Sequence, residues 1–306
     1  MTRSNRLSPL AIAFVLVAVF GVAAVARADA RVTVTDDFGH RVTVRHPPLR
    51  IVSLSPAANS MLLAAGASSQ LVATIEYSGE SAYEKRVTRI GTVAAIDMER
   101  LIALRPDVVI VWPDGNNPAQ IATIERLGLP VYRQEAVTLD GIADSLRRLG
   151  KLTGTGGVAD REASALQARL ATLRKEYANR SHAPTVFLEV WDRPLYTVGG
   201  QELMSDALQV CGVRNVFADL PQRAPAIGTE AVIARNPDII IAAAPPGRGA
   251  SWLAQWRRFP SLRAVRTGNL MTFDDQRLSG LGPGVIDATA GMCAKVAALP
   301  GRTGSK

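Results

Sequence analysis

Five aromatic residues stand at the ends of short runs that read as β-strands. Tyr77 follows residues 71–75, Trp112 ends 108–111, Trp191 and Tyr196 follow 185–190, and Phe273 follows 269–272. In open α/β sheets ligands lie beyond the carboxyl ends of the strands. Rings gathered there would grip a large flat molecule, and Asp274, Asp275 and Arg277 would meet its polar edges. Any one ring taken alone fits core or rim packing equally well; the set of five points to a binding surface.

Reaction chemistry has little to stand on. None of His40, His46 and His182 is paired with another at short ligand spacing, so a side-chain metal cage or a haem cluster is not expected. There is no Gly-x-Ser-x-Gly elbow for acyl transfer. Asp274 and Asp275 are adjacent, and in a strand their side chains would point to opposite faces, which makes a poor acid/base pair. Gly154-Thr-Gly-Gly157 is not followed by Gly-Lys-Ser/Thr and has no strand close before it; it reads as a helix break and not as a phosphate loop.

The elements that would carry these residues are announced by a phrase written twice. Residues 99–107 read Glu-Arg-Leu-Ile-Ala-Leu-Arg-Pro-Asp and residues 230–238 read Glu-Ala-Val-Ile-Ala-Arg-Asn-Pro-Asp, the two glutamates lying 131 residues apart. Each copy has helical apolar spacing, a Pro-Asp break and then a β-branched run. A helix–turn–buried-strand unit repeated at that distance predicts two related α/β lobes, with a cleft between them. Glu99 and Glu230 each open one copy. A helix N-terminus favours a carboxylate there, and one exposed acid per lobe would equally make a two-point clamp for a partner bearing arginines.

Residues 31–45 alternate as a small hairpin turning at 36–39. Residues 50–54 read as a strand, with Ser55-Pro56 opening a helix that Gly66 stops. Helical spacing at Ile142, Leu146 and Leu149, then an Ala/Leu/Arg/Glu stretch over 163–177, predict a stiff helical connector. The second lobe begins near 185–190, repeats the helix-to-glycine device at 207–212 and ends on a helix over 285–299.

The first residues are a leader in type. Arg3 and Arg6 precede the apolar stretch 10–25, and Ala26-Arg27-Ala28 and Ala28-Asp29-Ala30 both fit small-residue cleavage. The leader holds no cysteine to acylate, so a released, unlipidated protein is expected. Losing Arg3, Arg6 and Arg27 takes the formal charge from +8 to +5, with no Lys/Arg block, so nucleic-acid binding has no support. Cys211 and Cys293 both lie in apolar helical surroundings that would also suit buried thiols; the oxidising destination favours a bridge.

Three stretches carry a family resemblance: Ile51-Val-Ser-Leu-Ser-Pro-Ala57; residues 97–116 with Trp112-Pro-Asp-Gly-Asn116; and Leu208-Gln-Val-Cys-Gly212 with Asn215-Val-Phe217. In these the chain resembles, over about residues 50–299, the substrate-binding proteins of vitamin B12 and iron-chelate ABC importers. The resemblance implies an α/β fold of two Rossmann-like lobes joined by a single long backbone helix, a class III periplasmic binding protein with its ligand between the lobes. It implies a leader over 1–28, a first lobe with its hairpin over 29–138, a connecting helix over 139–182 and a second lobe over 183–306. The implied ligand is cobalamin or a related corrinoid. Haem or a ferric siderophore is the alternative in the family, and an exported enzyme the alternative outside it. Carried over by position, ligand contacts fall on Ala57, Tyr77, Trp112, Tyr196 and the segment Phe273, Asp274, Asp275 and Arg277. Two further cleft tryptophans of the family align with Val93 and Ala224, and Trp191 is an additional aromatic that could take their place. Glu99 and Glu230 become the acids that dock on the importer's transmembrane subunits, and Cys293 falls where the family has its second disulfide cysteine. The expected protein is a periplasmic monomer with neither a cofactor nor a catalytic activity.

Overall fold

Alternation over the first described residues produces the expected hairpin, β1 (Val32–Thr35) against β2 (Arg41–Val44), antiparallel. A computed structural model describes residues 31–77, 83–178, 183–280 and 282–300; the leader assigned to 1–28 and His182 lie outside them. The hairpin's turn is anchored by two buried acids. Asp36 Oδ1 accepts from the backbone N–H groups of Phe38 and His40 at 3.0 and 2.8 Å. Asp37 accepts from Ser145 Oγ at 2.6 Å, Arg148 Nε at 3.0 Å and the Glu135 backbone N–H at 2.9 Å, which pins the hairpin to the first lobe.

That lobe contains β3 (Ile51–Ser53), α1 (Pro56–Ala64), β4 (Leu71–Glu76), β5 (Thr88–Thr92), α2 (Met98–Ala103), β6 (Val108–Val111), α3 (Pro118–Arg126) and β7 (Val131–Arg133). Its strands lie in the order β5-β4-β3-β6-β7, all parallel. Ser55 caps α1 through its side chain, as the Ser-Pro pair predicts. A parallel sheet is covered on both faces, which explains its unbroken apolar strands. Val108 and Ile110 join one core, Val109 and Val111 the other.

The chain then enters α4 (Leu139–Thr153) and α5 (Gly156–Leu173). Here the structure departs from a single helix over 139–182. Gly154 takes the left-handed conformation at φ 75° and reverses the chain, so α4 and α5 form an antiparallel hairpin, of which α5 is the long helix, about 27 Å. Their antiparallel course shows in the pairings of Asp140 with Arg174 and of Arg147 with Gln167. At Gly150 a Cβ would lie 2.3 Å from that of Ala159, so only glycine lets the two helices come this close.

The second lobe contains β8 (Thr185–Glu189), β9 (Trp191–Asp192), β10 (Leu195–Tyr196), α6 (Leu203–Val210), β11 (Arg214–Asn215), α7 (Thr229–Arg235), β12 (Ile239–Ala243), α8 (Gly249–Trp256), α9 (Arg263–Arg266), β13 (Leu270–Phe273) and α10 (Val285–Ala297). Its sheet is β11-β8-β12-β13, again parallel. Cys211, closing α6, is bonded to Cys293 in α10, and both are buried.

The repeated phrase now has a physical account. Arg105 and Asn236, each just before Pro-Asp, are the two described non-glycine residues at positive φ, both at 45°. Each ends its helix in the left-handed conformation. The aspartate that follows fastens the neighbouring central strand. Asp107 Oδ2 accepts from the N–H groups of Leu49 and Arg50 at 2.8 and 2.9 Å, and Asp238 Oδ2 from the N–H and hydroxyl of Thr185, both at 2.8 Å. Burial pushes the Asp238 carboxyl up, but the Thr185 and Arg263 donors outweigh it and hold it below the usual range.

One apolar core runs from Val34 and Leu62 through Leu146, Leu149, Leu166 and Leu170 to Leu208, Ile241 and Val296. The connector is therefore built into a core that both lobes share. The outer faces of the two sheets have separate cores of their own.

Candidate functional site

Since every strand of each sheet runs the same way, the carboxyl ends gather along one edge of each lobe. The two edges meet. Arg223 of the second lobe pairs with Glu135, just past β7, and with Asp114, just past β6, at 3.0 Å to the latter. A Cβ at Gly282 would lie 3.2 Å from that of Ser60, so this second-lobe loop comes up to α1. The edges thus bound a cleft closed at more than one point.

On the first lobe the wall holds Ala57, Tyr77 and Trp112. Ala57 sits buried in the first turn of α1. Tyr77 follows β4, half-buried, its hydroxyl donating to Glu84. Trp112 is set by its own turn. Asn116 Oδ1 accepts from the Trp112 N–H at 2.7 Å, and Asn116 Nδ2 donates to the Leu54 carbonyl at 3.0 Å. A Cβ on Gly115 would fall 1.9 Å from the indole, so the ring lies directly over that glycine. The Trp-Pro-Asp-Gly-Asn stretch is a mount for one ring.

The second lobe offers a cavity of about 200 Å³ lined by Val190, Trp191, Met204, Phe273, Asp275 and Leu278, among others. Trp191 is 51% exposed and stands edge-on to Trp252, the centroids 6.3 Å apart. Its indole N–H donates to the Arg193 carbonyl at 3.1 Å. Trp191 and Tyr196 face each other across β9 and β10, a two-strand insertion after β8. Phe273 is largely core, with the Lys295 ammonium 5.5 Å from its ring centroid.

The polar members differ from a row of free hydrogen-bonding groups. Asp275 and Arg277 hold each other: Arg277 Nε lies 2.9 Å from Oδ1 and Nη2 lies 2.7 Å from Oδ2. That bond holds the Asp275 carboxyl below its usual range. Asp274 is exposed. Behind the second wall, Glu189 is fully buried, accepting from Gln255 Nε2 at 2.8 Å and Trp256 Nε1 at 2.7 Å. Burial pushes it up to about 7 despite those donors. Burial likewise raises Glu135, against the opposing charge of Arg223 and the Trp112 N–H bond. Glu202, whose side chain caps α6, is pushed up to about 6 by burial, with the Met204 N–H and Arg223 opposing.

The structure therefore brings Trp191, Phe273 and Asp275 to one cavity and sets Ala57, Tyr77 and Trp112 on the facing lobe. Val93 packs into the first lobe's outer core and Ala224 is exposed. Glu99 and Glu230 are exposed at the second position of α2 and α7, matching places on the two lobes. Glu135 and Arg223 escape the sequence reading. Glu135 sits past the end of a strand, a position that could have flagged it; Arg223 lies in irregular chain with no periodic signal. Among the described residues no cluster of His, Cys, Asp and Glu could hold a metal ion, and no helix is long and apolar enough to cross a membrane.

Comparison with known proteins gives a consistent set. Residues 51–277 match the family described as periplasmic binding protein. The chain is 30% identical over 246 residues to a vitamin B12-binding protein of Photorhabdus laumondii, covering 80% of this chain and 87% of that one. Among solved structures it is similar to the periplasmic vitamin B12-binding protein of Vibrio cholerae, with a TM-score of 0.73, 28% identity and coverage of 82% and 97%. It also resembles a periplasmic haem-binding protein of Pseudomonas aeruginosa, with a TM-score of 0.67, 25% identity and coverage of 85% and 94%.

Proposed function

We propose, from the premise that this chain belongs to the periplasmic binding protein family, that it captures cobalamin or a related corrinoid between its lobes and delivers it to an ABC importer. The observation that carries this is the pairing of two aromatic walls, Tyr77 and Trp112 on one lobe and Trp191 and Tyr196 on the other, at the carboxyl edges of two parallel sheets. The corrin's apolar edges would lie against these rings, and its amide side chains would meet Asp274, Asp275 and Arg277. The vitamin B12-binding relative at 30% identity supports the same ligand. Haem is the weaker reading: Tyr77 donates to Glu84 and Tyr83 to the Ser68 carbonyl, so both hydroxyls are engaged within their own lobe. The protein works in the periplasm as a monomer, needs no cofactor and performs no reaction. Residues 1–28 serve as its export leader.

Glu99 and Glu230 are the docking acids in this reading, one on each lobe, meeting arginines of paired transmembrane subunits. Reversing both to Lys abolishes uptake by cells and leaves cobalamin affinity unchanged. Calorimetry with cyanocobalamin tests the ligand: Trp112→Ala and Tyr77→Ala each weaken binding by about 1–3 kcal/mol with the fold intact. Saturable heat with haem and none with cobalamin or cobinamide would overturn the assignment.

A further inference from the structure

We infer that Arg223 and Glu135 form a latch across the mouth of the cleft, and that Glu135 ties lobe closure to the setting of the Trp112 ring. One carboxylate oxygen serves both. Glu135 Oε1 accepts from Arg223 of the opposite lobe and from Trp112 Nε1, the latter at 3.2 Å. Arg223 also reaches Asp114, within the Trp112 turn, so its guanidinium takes two first-lobe carboxylates. Glu135 is itself held in place. Its backbone N–H donates to Asp37 of the leading hairpin, and Asp37 is gripped by Arg148 and Ser145. The hairpin thus acts as the fixed post behind the latch.

The Glu135 side chain is 1% exposed, and its Oε2 has no hydrogen-bond partner. Removing Arg223 would leave a buried carboxylate with its opposing charge gone, a far costlier loss than that of a surface pair. Both carboxylates are met by Nη1, at the end of a side chain longer than that of Lys, so Lys replaces Arg223 incompletely. Parting the lobes breaks the Arg223 bonds, whereas the indole N–H stays bonded to Glu135 within the first lobe, so the ring is left resting on a buried carboxylate that has lost its opposing charge. Together with the ligand site proposed above, on which this consequence rests, the latch sets how fast cargo leaves.

The test uses the whole exported chain with Ala119→Cys on α3 and Ala254→Cys on α8, two exposed alanines on opposite lobes. The native cysteines are bonded to each other and take no label. Spin-label distance measurements without ligand should give one narrow distribution for the parent. Arg223→Ala and Glu135→Gln should broaden it and shift it to longer distances, with Arg223→Lys between. An unchanged distribution in Arg223→Ala overturns the latch, whatever the ligand, because no ligand enters this arm. In the second arm, cyanocobalamin release from Arg223→Ala should be faster by about tenfold or more, the change falling in the off-rate. If the parent binds cobalamin and Arg223→Ala releases it at the same rate, the latch is refuted while the corrinoid reading stands; if the parent does not bind, the corrinoid reading fails and the distances decide the latch. Circular dichroism of each variant separates loosening from misfolding.

Discussion

Aligned by register, the lobes can be compared residue by residue. Ile51 lies opposite Val108 in the first sheet and Val186 opposite Ile239 in the second, which places Leu54 on Glu189. Both are fully buried at the carboxyl end of the central strand. Past Leu54 the first lobe goes directly into α1 through Ser55 and Pro56. Past Glu189 the second lobe inserts β9 and β10, which carry Trp191 and Tyr196, before α6 begins. The strand-fastening aspartates and left-handed helix ends are the same in both lobes, whereas the differences collect at the cleft edge. Shared devices build the frame, and departures from them furnish the binding surface.

The largest expected effect breaks the comparison at the disulfide, which only the second lobe has. Replacing Cys211 and Cys293 together by Ser should cost roughly 4–5 kcal/mol in chemical denaturation, from the entropy of the loop it closes. Hydrogen exchange should place the loss in β8, β12 and β13. Equal loss of protection in β3 and β6 would mean that the shared core makes the lobes one cooperative unit.

Next comes the Leu54/Glu189 position. The folded state keeps the Glu189 proton to about pH 7, whereas the unfolded chain releases it near 4.5. Unfolding therefore releases a proton between those values, and stability should fall by roughly 3 kcal/mol as pH rises through that window, then level off. Glu189→Gln retains an acceptor for Trp256 and, with the Gln255 amide turned, a donor for Gln255. It should flatten most of this slope, leaving the part that the raised Glu202 and Glu135 carboxyls contribute, and unfold at a higher temperature than the parent at pH 8. A variant whose melting temperature still falls from pH 5 to pH 8 as the parent's does would assign the slope to another group.

The smallest effect sharpens the comparison at the two left-handed residues. Arg105 carries the steric cost of that conformation, so Arg105→Gly should stabilise by up to about 1 kcal/mol. Asn236 tolerates it better, and its Oδ1 accepts from the Arg263 N–H at 2.8 Å. Asn236→Gly should therefore destabilise by about 1 kcal/mol or less. Thermal melts of the two variants should move in opposite directions; movement in the same direction would make the side-chain bond of Asn236 idle.

Local signals made most of the frame legible. The doubled phrase announced two lobes, Ser55-Pro56 a helix start, and the alternation over 31–45 a hairpin, because each depends on neighbours in the chain. The strand β5 and the helices α3 and α8 drew no notice. In β5, Gly91 at φ 117° breaks the strand pattern, and in α8 Gly249 precedes an apolar face with no polar cap. The glycines at 154–157 signalled an interruption, but that the chain doubles back depends on the fit of Gly150 against Ala159, a contact between helices. The site divides the same way. The aromatics were visible at strand ends, while the pairing of Arg223 with Glu135 joins residues 88 apart and leaves no periodic trace. Arg277 stands two residues from Asp275, and the ion pair between them depends on the side-chain geometry of their turn, which spacing alone does not give.

The crossing between lobes has an evolutionary consequence. After α5 the chain does not return to the first lobe: α10, its last described helix, packs on α6, on β13 and, through the Arg169–Asp287 ion pair of 2.6 Å, on α5. Each lobe is accordingly one unbroken stretch of chain, and its coding sequence one unbroken stretch of gene. A single recombination at the Gly154–Thr155 turn would exchange a complete cleft wall without cutting a strand. The α4–α5 interface and the charges at the cleft mouth would then be the features a newly inherited half had to match. Cargo preference could in this way be traded by halves, with the shuffling of modules doing what point substitution in a chain threaded repeatedly between lobes would have to do residue by residue.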